Sequence, residues 1–118
     1  DALDCRPTAR PERPEPQSRP GVYVVRTFEI ATADVHEFVR LSAEAWQTFE
    51  AAPAYRAEPL ALLRADLSGD RTRMLLVTWY DGLASWERSR QPAPEARANF
   101  QARARLTRWA LPIATRLV

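Results

Sequence analysis

Three arginines that fall among apolar residues are the side chains best suited to bind a small molecule. Arg103 lies between Phe100 and Thr107 on one face of a predicted helix, while Arg26 and Arg64 interrupt apolar strands. A buried arginine normally has a carboxylate partner, so a structural ion pair is the simplest interpretation. Candidate partners are Glu29, Asp66 and Glu87. The alternative is that an arginine here recognises an anionic or carbonyl-bearing ligand.

Two aromatic residues could shape a pocket beside Arg103. Trp46 belongs to the apolar stripe of the first predicted helix, and Tyr80 ends the third predicted strand. Aromatic residues at such positions are usually core residues, and a small-molecule pocket is itself mostly apolar. We therefore predict Arg103, Tyr80 and Trp46 as substrate-binding residues, and we assign no catalytic residue.

The sequence does not supply a metal or haem site. His36 is the only histidine, and its place at the margin of the first helix's apolar stripe predicts a solvated side chain. Cys5 is the only cysteine, so no intramolecular disulfide and no thiolate cluster can form within one chain. One histidine, one cysteine and no closely spaced carboxylate pair do not make a coordination set. We predict neither a metal nor a cofactor.

Length and charge narrow the class of protein further. The 118 residues include 46% hydrophobic and 27% charged residues, which is ordinary usage for one globular domain. All 17 basic residues are arginine, yet the formal net charge is only +2, so we predict no nucleic-acid partner. No apolar run reaches the ~18 residues that a membrane span needs, and no signal-like segment opens the chain. These features predict a cytoplasmic protein in a reducing compartment.

Residues 1–20 form a separate compositional block. Five of the ten prolines alternate there with arginines, and almost no residue could enter a core. Such a segment cannot offset its ordering entropy by burial, and its proline spacing favours an extended conformation. We predict an extended or disordered Pro/Arg-rich arm at 1–20 and a folded domain at 21–118.

The folded part shows the order strand, helix, strand, strand, helix, strand. Predicted strands cover residues 21–30, 60–67, 73–80 and 111–118, with Pro59 before the second and Pro112 at the start of the last. The first helix begins near Thr32 as its N-cap and ends before Pro53. A short helix at 83–90 and a break at Pro92 and Pro94 precede a second helical stretch at 95–108. This order predicts an α+β fold with a four-stranded antiparallel sheet and helices on one face.

Apolar residues occupy both faces of the predicted strands. In the first strand, Val22, Val24 and Phe28 alternate with Tyr23 and Val25. An antiparallel sheet that is covered on one face only would alternate apolar and polar residues. The second face therefore needs a cover, and twofold association with another copy is the commonest solution. We predict a homodimer through this sheet face.

Four segments carry a resemblance to a known family. They are Tyr23–Ile30, Glu37–Trp46, Leu75–Tyr80 and Leu83–Arg90. Together they resemble the NIPSNAP family of the dimeric α/β-barrel group, over residues 21–118. The resemblance implies a ferredoxin-like βαββαβ subunit, a dimer, and an internal pocket between sheet and helices. The ligand that we predict for such a pocket is a small apolar or anionic molecule. For most members of the family it implies no established reaction.

Two other function classes share this predicted order of elements. The same barrel group includes cofactor-independent monooxygenases and related small-molecule-modifying enzymes, so an enzyme is the second hypothesis. A cavity of roughly 300 Å³ or more with Arg103 and Tyr80 pointing inward would favour chemistry, whereas a closed, collapsed interior would favour a binding or structural role. RNA-binding RRM domains share the order of elements, but the strand Arg73–Tyr80 has aliphatic residues where stacking rings are required.

Overall fold

The computed structural model describes residues 5–13, 17–91 and 94–117. The elements are, in chain order, β1 (Arg6–Pro7), β2 (Gly21–Ala31), α1 (Val35–Ala51), β3 (Ala57–Asp66), β4 (Arg71–Tyr80), α2 (Leu83–Ser89), α3 (Arg97–Leu106) and β5 (Thr107–Leu117). Single 3-10 turns at Thr32–Asp34 and Pro94–Ala96 lead into α1 and α3. The predicted break at Pro92, parts of the arm (1–4 and 14–16) and the last residue of the predicted closing strand, Val118, lie outside the described residues.

The strands form one antiparallel sheet in the order β1-β3-β4-β2-β5. All neighbouring strands pair in opposite directions, with long registers between β2 and both β4 and β5. The α+β class predicted from the sequence is confirmed. The sheet has five strands rather than the predicted four, because two residues of the arm, Arg6 and Pro7, pair with the edge of β3.

The helices cover one face of this sheet, which we call the inner face. Alternate residues of β2, including Val24 and Phe28, are buried there, and the Phe28 ring packs edge-to-face on Phe38 of α1 at 5.2 Å. The main core cluster contains Phe28, Ile30, Val35, Phe38, Trp46, Leu62 and Met74. A helix with buried residues every three to four positions is held mainly by such packing. The predicted apolar stripe of the first helix is thus the surface that joins α1 to the sheet.

The opposite, outer face presents apolar side chains that the helices do not cover. Four of the large exposed apolar residues are alternate residues of β5: Trp109, Leu111, Ile113 and Leu117. The register places Leu111 opposite Thr27 and Ile113 opposite Val25, so these side chains share the outer face with the half-buried row of β2. This row continues across β4 through Val77, which pairs with Val25.

The described part of the arm lies against the sheet. Thr8 N–H donates to the Leu62 carbonyl and Leu62 N–H donates to the Arg10 carbonyl, both at 3.0 Å, which extends the pairing of β1 with β3. The Arg19 guanidinium stacks over the Trp79 ring at 3.6 Å and pairs with Glu58. Such contacts offset part of the entropy that an ordered proline-rich segment loses.

Gly21 allows the arm to enter β2 next to Trp79. Its φ is +150°, and a Cβ at this position would lie 2.5 Å from the carbonyl oxygen of Tyr80 and 2.3 Å from Trp79 Nε1. Only glycine adopts this positive φ readily and also leaves room for the Tyr80 carbonyl without displacing backbone. The close approach lets Trp79 Nε1–H donate to the Pro20 carbonyl at 3.1 Å.

The starts of β3 and β5 differ from the prediction. β3 begins at Ala57 instead of residue 60, and Pro59 lies inside the strand, where a register irregularity follows it. β5 begins at Thr107 instead of residue 111, and Pro112 is therefore an interior residue of that strand. A proline inside a strand is tolerated at a bulge or on an edge strand, and these two prolines occupy those two kinds of place.

The predicted role of Thr32 as an N-cap is wrong. The 3-10 turn begins after Ala31 with no side-chain cap, and α1 follows from Val35. The Thr32 hydroxyl instead lies 2.9 Å from the Thr72 hydroxyl, a residue that is fully buried in β4. The buried Thr72 needs polar partners, and this need takes the hydroxyl away from the helix end.

Candidate functional site

A cavity of about 520 Å³ opens between the inner face of the sheet and the helices. Its wall contains all three residues predicted as substrate-binding: Arg103 of α3, Tyr80 of β4 and Trp46 of α1. The remaining wall is largely apolar and aromatic, with Val24, Phe49, Leu76, Trp86 and Phe100 among its members. The three side chains predicted from the sequence therefore lie in one cavity wall, although they belong to three different elements.

Regular periodicity explains how Trp46 and Tyr80 reach this wall. Trp46 follows Phe38 and Ser42 at intervals of four along α1, and all three are buried. Tyr80 pairs with Val22 in β2, whose side chain is on the inner face, so Tyr80 also points to the helix side. Both aromatic residues are core residues and cavity residues at once.

Arg103 is oriented by a neighbour one helical turn earlier. Its Nε donates to Asn99 Oδ1 at 2.9 Å, and the Asn99 amide donates to the Leu41 carbonyl at 2.9 Å. Asn99 therefore links α3 to α1 and fixes one side of the guanidinium. The terminal nitrogens of Arg103 make no hydrogen bond to the described residues.

Arg26 is the second guanidinium in the cavity wall. It lies in the middle of β2, opposite Leu76 on one side and Pro112 on the other. Its Nε is buried and has no hydrogen-bond partner among the described residues. Burial lowers the pKa of Arg26, and burial together with the charge of Arg26 lowers the pKa of Arg103 to about 10. Both groups stay cationic at neutral pH, in surroundings that disfavour the charge.

The three arginines differ in whether they pair with a carboxylate. Asp66 pairs with Arg64 at 2.8 Å, so the structural ion pair predicted for an arginine is confirmed at Arg64. Glu29 pairs instead with Arg71 at 3.3 Å. Within the described side chains, Arg26, Arg103 and the third candidate, Glu87, have no ion-pair partner. The ion-pair interpretation therefore holds for one arginine outside the cavity and for neither arginine in its wall.

Tyr80 supplies a hydroxyl to the cavity wall. Burial raises its pKa, so the phenol stays protonated at neutral pH and can donate a hydrogen bond. Ser89 Oγ lies 3.4 Å from this hydroxyl, while it donates to the Trp86 carbonyl at 2.6 Å. The Tyr80 hydroxyl is thus a weakly engaged polar group at the edge of an apolar space.

The histidine and the cysteine both lie outside the cavity wall. His36 is exposed, as its place at the margin of the helix stripe predicts, and Cys5 is exposed with a free thiol. Among the described residues, no cluster of three or more histidine, cysteine, aspartate or glutamate side chains could hold an ion. In the same residues, no helix has the length and apolar character that crossing a membrane requires.

Sequence reasoning missed several residues of the wall, among them Phe49, Trp86, Ser89 and Asn99. Asn99 could have been found, because it precedes Arg103 by four residues and so lies on the same helix face. Trp86 and Ser89 could not, because their contact with Tyr80 depends on how α2 folds back over the end of β4.

Comparison with family models, with curated proteins and with solved structures gave no match. The family resemblance of residues 21–118 therefore remains a hypothesis, and function has to be argued from the cavity and from the two faces of the sheet.

Proposed function

We propose that this chain is one subunit of a homodimer that binds a small apolar or anionic molecule between its sheet and helices. The observation that carries the proposal is the cavity of about 520 Å³ with Trp46, Tyr80 and Arg103 in its wall. Small-molecule sites are concave, mostly apolar spaces of roughly 300–1,000 Å³ with a few polar groups. This cavity has that size and that mixture of side chains.

The strand order supports a finer assignment of the fold. Without β1, the order is β3-β4-β2-β5, and each crossover from β2 to β3 and from β4 to β5 contains helix. We infer a ferredoxin-like βαββαβ subunit with β1 added at one edge. This inference agrees with the NIPSNAP-like, dimeric α/β-barrel interpretation of the sequence, which places a pocket on the helix side of the sheet.

The outer face supports the dimer. Leu111 and Ile113 of β5 are 53% and 54% exposed, and Trp109 beside them is 40% exposed. Apolar side chains at alternate positions of one strand form a continuous patch, and soluble monomers seldom leave such a patch uncovered. A second copy that presents the same face would cover it by twofold symmetry.

One observation favours a second candidate function, a cofactor-independent monooxygenase or related small-molecule-modifying enzyme. The cavity is larger than the roughly 300 Å³ at which we expected chemistry to be favoured, and the protonated Tyr80 hydroxyl and Arg103 share its wall. Mass spectrometry of the ligand retained by aerobically and anaerobically purified protein would separate the two functions. An oxygen atom added only in the aerobic sample would favour the enzyme.

Binding of a neutral apolar probe tests the proposed function. We expect N-phenylnaphthylamine to gain fluorescence with the protein at one probe per protomer, because the cavity offers an apolar space to a ring system. The variant Ala45→Trp places an indole into the cavity wall and should abolish this gain. The matched control is Ala51→Trp on the exposed end of the same helix, which should bind the probe as the parent does.

Two results would contradict this account of the cavity. One is an absence of probe binding by a correctly folded parent protein. The other is equal binding by the parent and by Ala45→Trp, which would place the probe elsewhere on the molecule.

A further inference from the structure

We propose that the cavity takes an aromatic monocarboxylate, whose carboxylate binds Arg26 and Arg103 and whose ring lies among the aromatic side chains. This inference rests on the proposed small-molecule-binding function and names its ligand class. It is built from four observations: the shared position of two arginines, their lack of carboxylate partners, the donor character of the unpartnered nitrogens, and the aromatic wall.

The two arginines lie where two cavities meet. Next to the cavity of about 520 Å³ is a smaller one of about 260 Å³, and Arg26, Phe100 and Arg103 belong to the walls of both. Arg26 and Arg103 therefore put two positive charges at the boundary between the two spaces. A carboxylate bound at this boundary can interact with both guanidinium groups.

The guanidinium groups of Arg26 and Arg103 lie in surroundings that disfavour a positive charge. Among the described side chains, the wall of the larger cavity contains four arginines (Arg26, Arg88, Arg90 and Arg103) but only one carboxylate, that of Glu44, which pairs with Arg40. A buried charge without a partner costs free energy, and a bound anion would remove that cost. An excess of unpaired guanidinium groups thus selects for an anionic ligand.

The free polar groups in the wall are hydrogen-bond donors. Trp46 is only 5% exposed, and its indole N–H has no hydrogen-bond partner among the described residues. Arg26 Nε is also buried and has no hydrogen-bond partner among them. Neither group can accept a hydrogen bond. The unpartnered nitrogens of these two wall residues are therefore both donors, which matches a ligand that carries acceptor atoms. A carboxylate offers two acceptor oxygens in the plane that a guanidinium fork prefers.

The Arg103 guanidinium is oriented before a carboxylate binds. Asn99 accepts from its Nε, so the guanidinium is held by one edge while the terminal nitrogens have no partner among the described residues. A guanidinium that is oriented before the ligand arrives loses less conformational entropy on binding. Asn99 is a positioning residue in this proposal.

The rest of the wall suits a planar ring. The Phe49 and Tyr80 rings already pack edge-to-face with centroids 6.0 Å apart, and Trp46 and Trp86 lie in the same wall. Aromatic ligands gain from stacked and edge-to-face contacts with such rings. A phosphate ester would bring close to two negative charges into a mostly apolar space, and stripping water from it would cost more than for a carboxylate.

Isothermal titration calorimetry with naphthoate and the neutral isostere naphthamide tests the inference on the full chain. The parent should bind naphthoate about tenfold or more tightly than naphthamide. Arg103→Gln and Arg26→Gln should each weaken naphthoate binding by about 10- to 100-fold, the range expected for a lost charge-assisted hydrogen bond. Naphthamide binding should change little. Arg64→Gln is the matched control, since Arg64 is also a mid-strand arginine but pairs with Asp66, and it should leave both affinities unchanged.

The outcomes separate this inference from the function on which it rests. Equal affinity for naphthoate and naphthamide would overturn the carboxylate assignment, while N-phenylnaphthylamine binding would still support the cavity. Tighter binding of naphthyl phosphate than of naphthoate would also overturn it, in favour of a phosphate ester. An unchanged naphthoate affinity in Arg103→Gln would contradict the site, because that residue lies on a half-exposed helix where the substitution leaves the core intact.

Discussion

We expect Leu111→Asp to convert the proposed dimer into a monomer. Leu111 lies on the outer face of β5, is 53% exposed, and has Trp109 and Ile113 as apolar neighbours on the same face. In the proposed dimer this face is covered by its counterpart, so each protomer would bury an unpaired carboxylate. The expected cost is about 3 kcal/mol or more, roughly a hundredfold or more in the dissociation constant. Light scattering at micromolar concentration should show the mass fall from twice 13.4 kDa to 13.4 kDa.

Leu83→Asp is the matched control for this substitution. Leu83 is similarly exposed, at 43%, but it lies at the start of α2, away from the outer face. The same chemical change there should leave the dimer intact. If both variants dissociate, or if neither does, the outer face of β5 is not the interface. Circular dichroism should show native secondary structure in both variants, because neither leucine belongs to the core clusters.

Phe38→Ala removes about 3–5 kcal/mol from the free energy of unfolding. Phe38 is 1% exposed, lies at the centre of the contact between α1 and the sheet, and packs edge-to-face on Phe28. Truncation removes the transfer free energy of the ring and leaves a cavity that close-packed neighbours fill only in part. A loss of this size is a large fraction of the ~5–15 kcal/mol that stabilises a typical domain. Urea titration followed by circular dichroism measures it.

The control for Phe38→Ala is Phe100→Ala on α3. Phe100 is exposed, so its truncation should cost far less stability than that of Phe38. Both variants must be compared with the parent at one protomer concentration, because the proposed dimerisation would contribute to apparent stability. A similar loss in the two variants would show that the Phe38 cluster is not the main core.

The sequence was sufficient to predict the order of elements and the α+β class. The predictions rest on two local patterns: strands with β-branched residues on both faces, and a helix with apolar residues three and four apart. The structure contains the strands and the helix that these patterns predict. The start of β3 was missed because Pro59 normally ends a strand, and only the pairing irregularity in the sheet accommodates it. The added strand β1 was missed because a two-residue pairing has no sequence signal of its own.

The candidate site was predictable in part. The sequence nominated Arg103, Tyr80 and Trp46, and they lie in one cavity wall, because helix and strand periodicity fix which face each side chain occupies. The sequence did not show which of the arginines have a carboxylate partner. Arg64 and Asp66 are two apart on one strand and therefore share a face, a signal that could have been used. The lack of partners at Arg26 depends on the packing of distant elements.

The most direct test of the central claim is an isotope-filtered nuclear Overhauser experiment on a mixture of labelled and unlabelled protein. In the proposed dimer the outer faces of two copies lie against each other, so methyl groups of Val25, Val77, Leu111 and Ile113 should show cross-peaks to protons of the unlabelled copy. A sample that is monomeric, or a dimer whose intermolecular cross-peaks arise from the helices instead, would contradict it.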